Sequence, residues 1–104
     1  MEITESDLTR LILAALWREY PDGLWYRRNT GAAMINGHLV RYGVPGMADI
    51  GGIWRARAYE IEIKTAKGRQ TEEQKNWQRA VERAGGTYLL WRSVDDVKSL
   101  SISA

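Results

Sequence analysis

The first twenty residues have the spacing of an amphipathic helix. Apolar side chains recur three and four residues apart, which places them on one stripe of a helix; they are Leu8, Leu11, Ile12, Ala15 and Leu16. Thr4 is a suitable N-cap, and Asp7 stands where a capping box has its acid. Because Pro21-Asp22-Gly23 is a turn signal, the pattern predicts a helix that ends before residue 21.

Strict alternation of apolar and polar residues marks a strand in the middle of the chain. Successive side chains of a strand point to opposite faces. In the segment 59–64, one face therefore carries Tyr59, Ile61 and Ile63, and the other carries Glu60, Glu62 and Lys64. The sequence thus predicts a strand with a row of charged side chains on one face.

Four strands and two main helices account for most of the chain. The predicted strands cover residues 24–28, a segment around 47–50, residues 57–64 and residues 87–91. The second helix follows the capping box Thr71-x-x-Gln74 and ends at Gly85-Gly86, and residues 94–100 form a last helical turn or two. The order α-β-β-β-α-β predicts one α/β domain over residues 1–104, with a mixed sheet flanked by helices.

Glycines mark the predicted connections between these elements. Gly51-Gly52 predicts a turn between the second and third strands, and Asn29-Thr30-Gly31 predicts a loop. Residues 32–42 have no clear period and are predicted to be irregular, with a turn at Asn36-Gly37. Gly43-Val44-Pro45-Gly46 is predicted to be a tight loop.

Composition narrows the chemistry that is available. The chain has no cysteine and one histidine, so cysteine chemistry, disulfides and histidine-based metal cages are excluded. Metal ligands would have to be oxygen atoms, which suits Mg²⁺ or Mn²⁺ better than zinc. The sequence has no long apolar run and no signal-peptide pattern, so we expect a cytoplasmic protein without a membrane partner.

The charged face of the central strand has two interpretations. An E-x-K pattern alone is more often the wet face of an antiparallel strand. If the strand before it pairs as a hairpin, however, Asp49 approaches Glu62, and two close carboxylates favour a cation between them. Glu5 falls on the apolar stripe of the first helix. It is either a third acid of such a cation site or a carboxylate that the dipole at the helix N-terminus favours. Glu19 falls in the same arc, and its role stays open.

Several motifs together resemble a known nuclease family. They are Gly46-Met47-Ala48-Asp49, Glu62-Ile63-Lys64, Gly68-Arg69, Gln74 and Gly85-Gly86. In this combination the chain is similar to the virus-type replication-repair nuclease (VRR-NUC) domain, which belongs to the PD-(D/E)XK nuclease superfamily. The resemblance covers nearly the whole chain and implies a restriction-endonuclease-like core.

The resemblance also implies roles for individual residues. Asp49 and Glu62 would bind Mg²⁺ or Mn²⁺ together with the backbone carbonyl of Ile63, and Glu5 would touch the metal directly or through water. Lys64 would hold and polarise the attacking water, and Gln74 would support the site. Glu60 departs from the family pattern, and its role stays open.

Basic residues around these motifs are candidates for DNA contact. Arginines with aromatic neighbours and lysines near a helix start suit phosphate binding; the candidates are Arg27, Arg28, Asn29, Lys67, Arg69 and Lys75. Ordinary solvated surface residues are the alternative for each of them. The single histidine, His38, is predicted to be a loop residue and not a catalyst.

These observations predict a metal-dependent endonuclease that hydrolyses DNA phosphodiesters. The resemblance implies branched substrates such as Holliday junctions, and a homodimer would supply paired cuts. Relatives of this kind are typically phage or bacterial proteins, acting in a bacterial or phage-infected cell. The alternatives are a non-catalytic DNA-binding module that keeps the nuclease fold, and a restriction-type or RNA-directed nuclease.

Overall fold

The structure, a computed structural model, describes residues 2–28 and 31–103. In the described part of the chain, no helix combines the length and apolar character needed to cross a membrane. A 3₁₀ helix spans Val94–Lys98. The other elements are, in chain order, α1 (Glu5–Glu19), β1 (Leu24–Arg27), β2 (Gly31–Ile35), β3 (His38–Tyr42), β4 (Ile50–Trp54), β5 (Arg57–Ile63), α2 (Glu72–Arg83), β6 (Thr87–Trp91) and α3 (Ser99–Ser103).

Four of the strands form one mixed sheet in the order β1-β4-β5-β6. Strand β4 is antiparallel to both of its neighbours, whereas β5 and β6 are parallel and are connected through α2. The predicted mixed sheet and α/β class are confirmed. The predicted order α-β-β-β-α-β matches α1, β1, β4, β5, α2 and β6, and the structure adds a separate sheet of β2 and β3.

The hydrophobic core lies between α1 and one face of the sheet. Ile12 and Leu16 of α1 are fully buried together with Ile61 and Ile63 of β5. The predicted stripe was wrong at Leu11, which is exposed, because the helix turns Thr9 inward instead. Burying Thr9 leaves no unpaired hydroxyl, since its Oγ1 donates to the carbonyl of Glu5 at 2.8 Å.

The predicted turn at Gly51-Gly52 is wrong, because both glycines lie inside β4. A Cβ atom on Gly52 would lie 2.2 Å from the ring of Trp25, and one on Gly51 would lie 2.5 Å from the guanidinium of Arg28. These positions need glycine because large side chains of β1 lie across them. The reversal occurs instead at Arg55 and Ala56, both of which have positive φ.

Residues 32–42 form a regular hairpin instead of the irregular segment that was predicted. Strands β2 and β3 pair from Gly31 opposite Tyr42 to Ile35 opposite His38, so His38 lies in a strand and not in a loop. The predicted turn at Asn36-Gly37 is confirmed, and both residues have positive φ. The sequence did not predict these strands because neighbouring apolar residues on both faces are exposed, so apolar and polar positions do not alternate. These residues are Met34, Ile35, Leu39 and Val40.

Candidate active site

Asp49 and Glu62 meet because of the register of the β4–β5 hairpin. Ile50 is paired with Ile61, so the next residue outward, Asp49, lies opposite Glu62. The Asp49 carboxylate accepts a hydrogen bond from the backbone N–H of Ile63 at 2.8 Å. The predicted approach of Asp49 to Glu62 is therefore confirmed. The predicted bounds of the strand, around residues 47–50, are wrong, because β4 covers Ile50–Trp54 and Asp49 directly precedes it.

Glu5, at the start of α1, is the third acid at this place. Glu5, Asp49 and Glu62 each offer a carboxylate oxygen, and these oxygens lie within 4.8 Å of one another. We call these three residues the carboxylate site. Thr4 caps α1 by accepting from the N–H of Asp7 at 3.1 Å, which fixes the position from which Glu5 reaches the sheet.

Glu62 is the buried centre of the carboxylate site, with 1% of its surface exposed. Its Oε2 accepts from the side-chain amide of Gln74 at 3.1 Å and lies 3.9 Å from the ammonium of Lys64. Its Oε1 is buried and has no hydrogen-bond partner in the described part of the chain. A buried carboxylate oxygen without a partner is unfavourable, and a bound cation would supply the missing partner.

Burial raises the pKa of the Glu62 carboxyl to about 9. This value includes the effect of the neighbouring Asp49 carboxylate, which also raises the pKa, and that of the Lys64 ammonium, which lowers it in part. Without a cation, a proton on Glu62 relieves the repulsion between the two acids. The site can therefore take either a proton or a metal ion.

Gln74 connects the carboxylate site to the start of α2. Its Oε1 accepts from the N–H of Thr71 at 2.9 Å and its Nε2 donates to Glu62, so the predicted capping box also holds a site residue. Gly46 brings this helix close to the loop before Asp49. It has φ of +84°, and a Cβ atom there would lie 2.2 Å from the backbone oxygen of Glu73.

Lys64 is buried beneath the turn that follows β5. A Cβ atom on Gly68 would lie 3.2 Å from Cδ of Lys64, so this turn packs on the lysine's aliphatic stem. The Arg92 guanidinium holds the turn by donating to the carbonyls of Thr65 at 2.7 Å and Gly68 at 2.8 Å. No motif in the sequence indicated this role of Arg92.

Arg28, a predicted DNA contact, forms an ion pair with Glu60. Two nitrogens of its guanidinium donate to the two Glu60 oxygens at 2.7 and 2.6 Å, and the side chains are only 15% and 12% exposed. The indole of Trp77 donates to Glu60 at 2.8 Å. Glu60 thus joins β1, β5 and α2 beside the carboxylate site. Sequence reasoning missed Trp77, because an indole on the inner face of a helix is read as packing.

The other predicted DNA contacts are mostly exposed. Arg27 donates to Ser6 of α1 at 3.0 Å, near the carboxylate site. Lys67, Arg69 and Lys75 lie on the surface around the turn between β5 and α2 and on the first turn of α2. Asn29 lies outside the described residues.

The comparisons with known proteins add no assignment. No protein-family model matches the sequence, and no curated protein matches it.

The raised pKa of Glu62 predicts how the stability of the metal-free protein depends on pH. Above about pH 4.5 the unfolded chain releases a proton that folded Glu62 keeps until about pH 9. This contribution to stability is complete below pH 4.5 and is lost as the pH rises through 9, so the free energy of unfolding falls over this window. Urea unfolding in EDTA between pH 5 and about pH 9 measures it.

Glu62→Gln is the matched control for this experiment, because glutamine keeps the shape and cannot titrate. We expect its free energy of unfolding to change less with pH than that of the wild type. Excess Mn²⁺ should oppose the loss in the wild type at high pH, because a cation replaces the proton. Parallel pH profiles for the two proteins in EDTA would contradict the prediction.

Proposed function

We propose that this chain is a metal-dependent nuclease that hydrolyses phosphodiester bonds in DNA, with Asp49, Glu62 and Lys64 as its central residues. One observation carries the proposal: a buried oxygen of Glu62 lacks a partner among the described residues, within a group of three carboxylates. Close carboxylates repel unless a proton or a cation lies between them. A divalent cation satisfies the unpartnered oxygen and the charges together.

The donor set of the carboxylate site fits Mg²⁺ or Mn²⁺. All of its side-chain ligands are oxygens, which hard divalent cations prefer. Asp49 and Glu62 would bind directly, and Glu5 would bind directly or through water. The N–H and C=O of a strand residue point to the same neighbouring strand, so the carbonyl of Ile63 faces the side of Asp49 and could add a ligand. When bound, the ion would neutralise charge on the scissile phosphate and lower the pKa of a coordinated water.

Lys64 and Gln74 would then orient the reacting groups. The ammonium of Lys64 is a donor only, and the packing of residues 65–68 on its stem limits its movement. It would hold the attacking water in line with the phosphate and stabilise negative charge there. Gln74, fixed by its capping box, would keep the Glu62 carboxylate in one orientation.

The same arrangement supports membership of the PD-(D/E)XK superfamily and its VRR-NUC branch. The core elements α1, β1, β4, β5, α2 and β6 follow the order α-β-β-β-α-β. Asp49 directly precedes β4, and the Glu62-Ile63-Lys64 motif lies at the end of the neighbouring strand β5. Glu5 at the start of α1 takes the place that the resemblance gives to a helical acid. In this proposal, residues 1–104 form one nuclease domain.

Branched DNA is the proposed substrate, and a homodimer the proposed form. Arg27, Lys67, Arg69 and Lys75 are exposed around the carboxylate site and its adjoining turn, where they can contact phosphates. Arg28 is left out of this set, because Glu60 already neutralises its charge. A four-way junction needs two cuts related by two-fold symmetry, and a dimer supplies two sites.

Cleavage of a labelled four-way junction and a matched linear duplex tests the proposal. The protein is assayed with Mg²⁺, with Mn²⁺ and with EDTA. We expect the junction to be cut in the presence of either metal, the linear duplex to be cut more slowly, and EDTA to stop both reactions. Binding to both substrates in EDTA is measured in parallel by fluorescence anisotropy.

The two readouts distinguish the alternatives. If the protein binds the junction but cuts neither substrate with either metal, it is a DNA-binding module and the carboxylate site is structural. Equal cleavage of both substrates would contradict branch selectivity while leaving the nuclease assignment intact. Cleavage that persists in EDTA would contradict the metal-dependent reaction.

A further inference from the structure

A cavity of about 240 Å³ opens between the residues that precede α1 and the turn that follows β5. Its walls are Glu2, Ile3, Thr65, Ala66 and Lys67, which we call the N-terminal pocket. Ile3 lies two residues before Glu5, and Thr65 directly follows Lys64. Since adjacent Cα atoms are about 3.8 Å apart, the Cα atom of Ile3 lies within about 8 Å of that of Glu5, and the Cα atom of Thr65 lies about 3.8 Å from that of Lys64.

The wall formed by residues 65–67 is held in place by hydrogen bonds, and the chain on the other side is anchored directly after Ile3. Arg92 donates to the carbonyl oxygens of Thr65 and Gly68, and the N–H of Gly68 donates to Thr65 at 3.0 Å. On the other side, the carbonyl of Thr4 accepts the first helical hydrogen bond from Leu8 at 2.9 Å, which anchors the segment before α1. The wall formed by residues 65–67 therefore has its shape before any ligand binds.

The pocket has the lining of a site for a flat, partly apolar group. Ile3, Ala66 and the methyl of Thr65 offer apolar surface, and Lys67 and Glu2 add a donor and an acceptor. Ile3 is 42% exposed and does not belong to the hydrophobic core, so its side chain is available to a ligand. The volume is smaller than that of pockets for drug-sized ligands and suits a single ring system.

We propose that the N-terminal pocket binds one unpaired nucleobase of the substrate strand, next to the phosphate at the carboxylate site. This inference rests on the proposed function and deepens it. A base must leave its stack to enter the pocket, and this costs least where it is already unpaired. Nucleotides at a branch point meet that condition, so the pocket gives a physical source for branch selectivity.

Filling the pocket tests the inference. Ile3→Trp places a large side chain in it, and Leu11→Trp is the matched control, because Leu11 is also 42% exposed and lies on α1 away from the pocket. Stacking of a base on an aromatic side chain changes binding by about fivefold to a hundredfold, and a pocket lined by aliphatic side chains should lie near the lower limit, at about fivefold. We expect Ile3→Trp to lower kcat/KM on the junction by such a factor, and Leu11→Trp to leave it unchanged.

Substrates with one abasic nucleotide provide a second test of base binding in the pocket. After the cut has been mapped, the abasic nucleotide is placed on either side of it. At one of these positions, the loss of the base should slow the wild type as much as Ile3→Trp does, and it should slow Ile3→Trp no further. An undiminished rate on both abasic substrates, or wild-type activity of Ile3→Trp, would overturn the pocket while leaving the nuclease assignment in place.

A fluorescence measurement keeps the pocket testable without cleavage. A single-stranded oligonucleotide containing 2-aminopurine is added to the protein in EDTA. The emission should change with the wild type and with Leu11→Ser, but much less with Ile3→Ser. If this pattern appears while no DNA is cut, the pocket binds a base as proposed, and the proposed nuclease function is contradicted. Unchanged emission with bound wild type would overturn the pocket.

Discussion

Replacing Glu62 by glutamine is expected to lower metal-dependent DNA cleavage by about 1,000-fold or more while the protein stays folded. Glutamine has the shape of glutamate but lacks the charge that would hold a cation at the buried oxygen. In EDTA the variant should unfold at the same temperature as the wild type or higher, because it has no buried carboxyl to ionise. Single-turnover cleavage of the junction and thermal unfolding in EDTA measure the two effects.

Glu19→Gln is the control for this substitution. Glu19 lies at the far end of α1, is exposed, and makes only a surface ion pair with Arg18 at 3.6 Å. The same chemical change there should leave both cleavage and Mn²⁺ binding, measured by titration calorimetry, at wild-type levels. Cleavage by Glu62→Gln within about tenfold of the wild type would mean that the reaction does not use the carboxylate site.

Arg28→Met is expected to destabilise the protein by about 3–5 kcal/mol. The substitution removes both hydrogen bonds to Glu60 and leaves its largely buried carboxylate with the indole of Trp77 as its remaining hydrogen-bond donor among the described residues. Urea unfolding at pH 7 measures the loss. If Arg28 were instead a free DNA contact, the variant would lose DNA affinity and keep its stability.

Two variants make this prediction specific. Arg27→Met, at the neighbouring exposed arginine, should change the free energy of unfolding by no more than about 0.5 kcal/mol. Adding Glu60→Gln to Arg28→Met should restore about 1–3 kcal/mol, because glutamine is uncharged and still accepts from Trp77. A double variant less stable than Arg28→Met alone would contradict the account of an unpaired buried charge.

The parts of the fold that follow local rules were predictable from the sequence. The Thr4 N-cap of α1, the capping box of α2, the alternating strand and the hairpin that brings Asp49 to Glu62 depend on residues close together in the chain. Glu5 was also identifiable, since a carboxylate on the apolar stripe of a helix needs a reason to be there. Its juxtaposition with the other two acids follows from the packing of that stripe on β5.

The features that depend on distant side chains were not predictable. Gly51-Gly52 looks like a turn until the ring of Trp25 and the guanidinium of Arg28 are known to cross it. The ion pair of Arg28 with Glu60 likewise has no local signal, because it reaches across β4 at Gly51. In each case the deciding contact joins two strands whose register no short motif encodes.

The carboxylate site joins parts of the chain that come together at different stages of folding. Asp49 and Glu62 belong to one tight hairpin, whereas Glu5 and Gln74 arrive only when two helices dock. Short loops close at lower entropic cost than long ones, so we expect the two repelling acids to meet before the helices dock. A proton or a cation is therefore needed early, and the ionic conditions of the solution will influence how fast the chain folds as well as how stable it becomes.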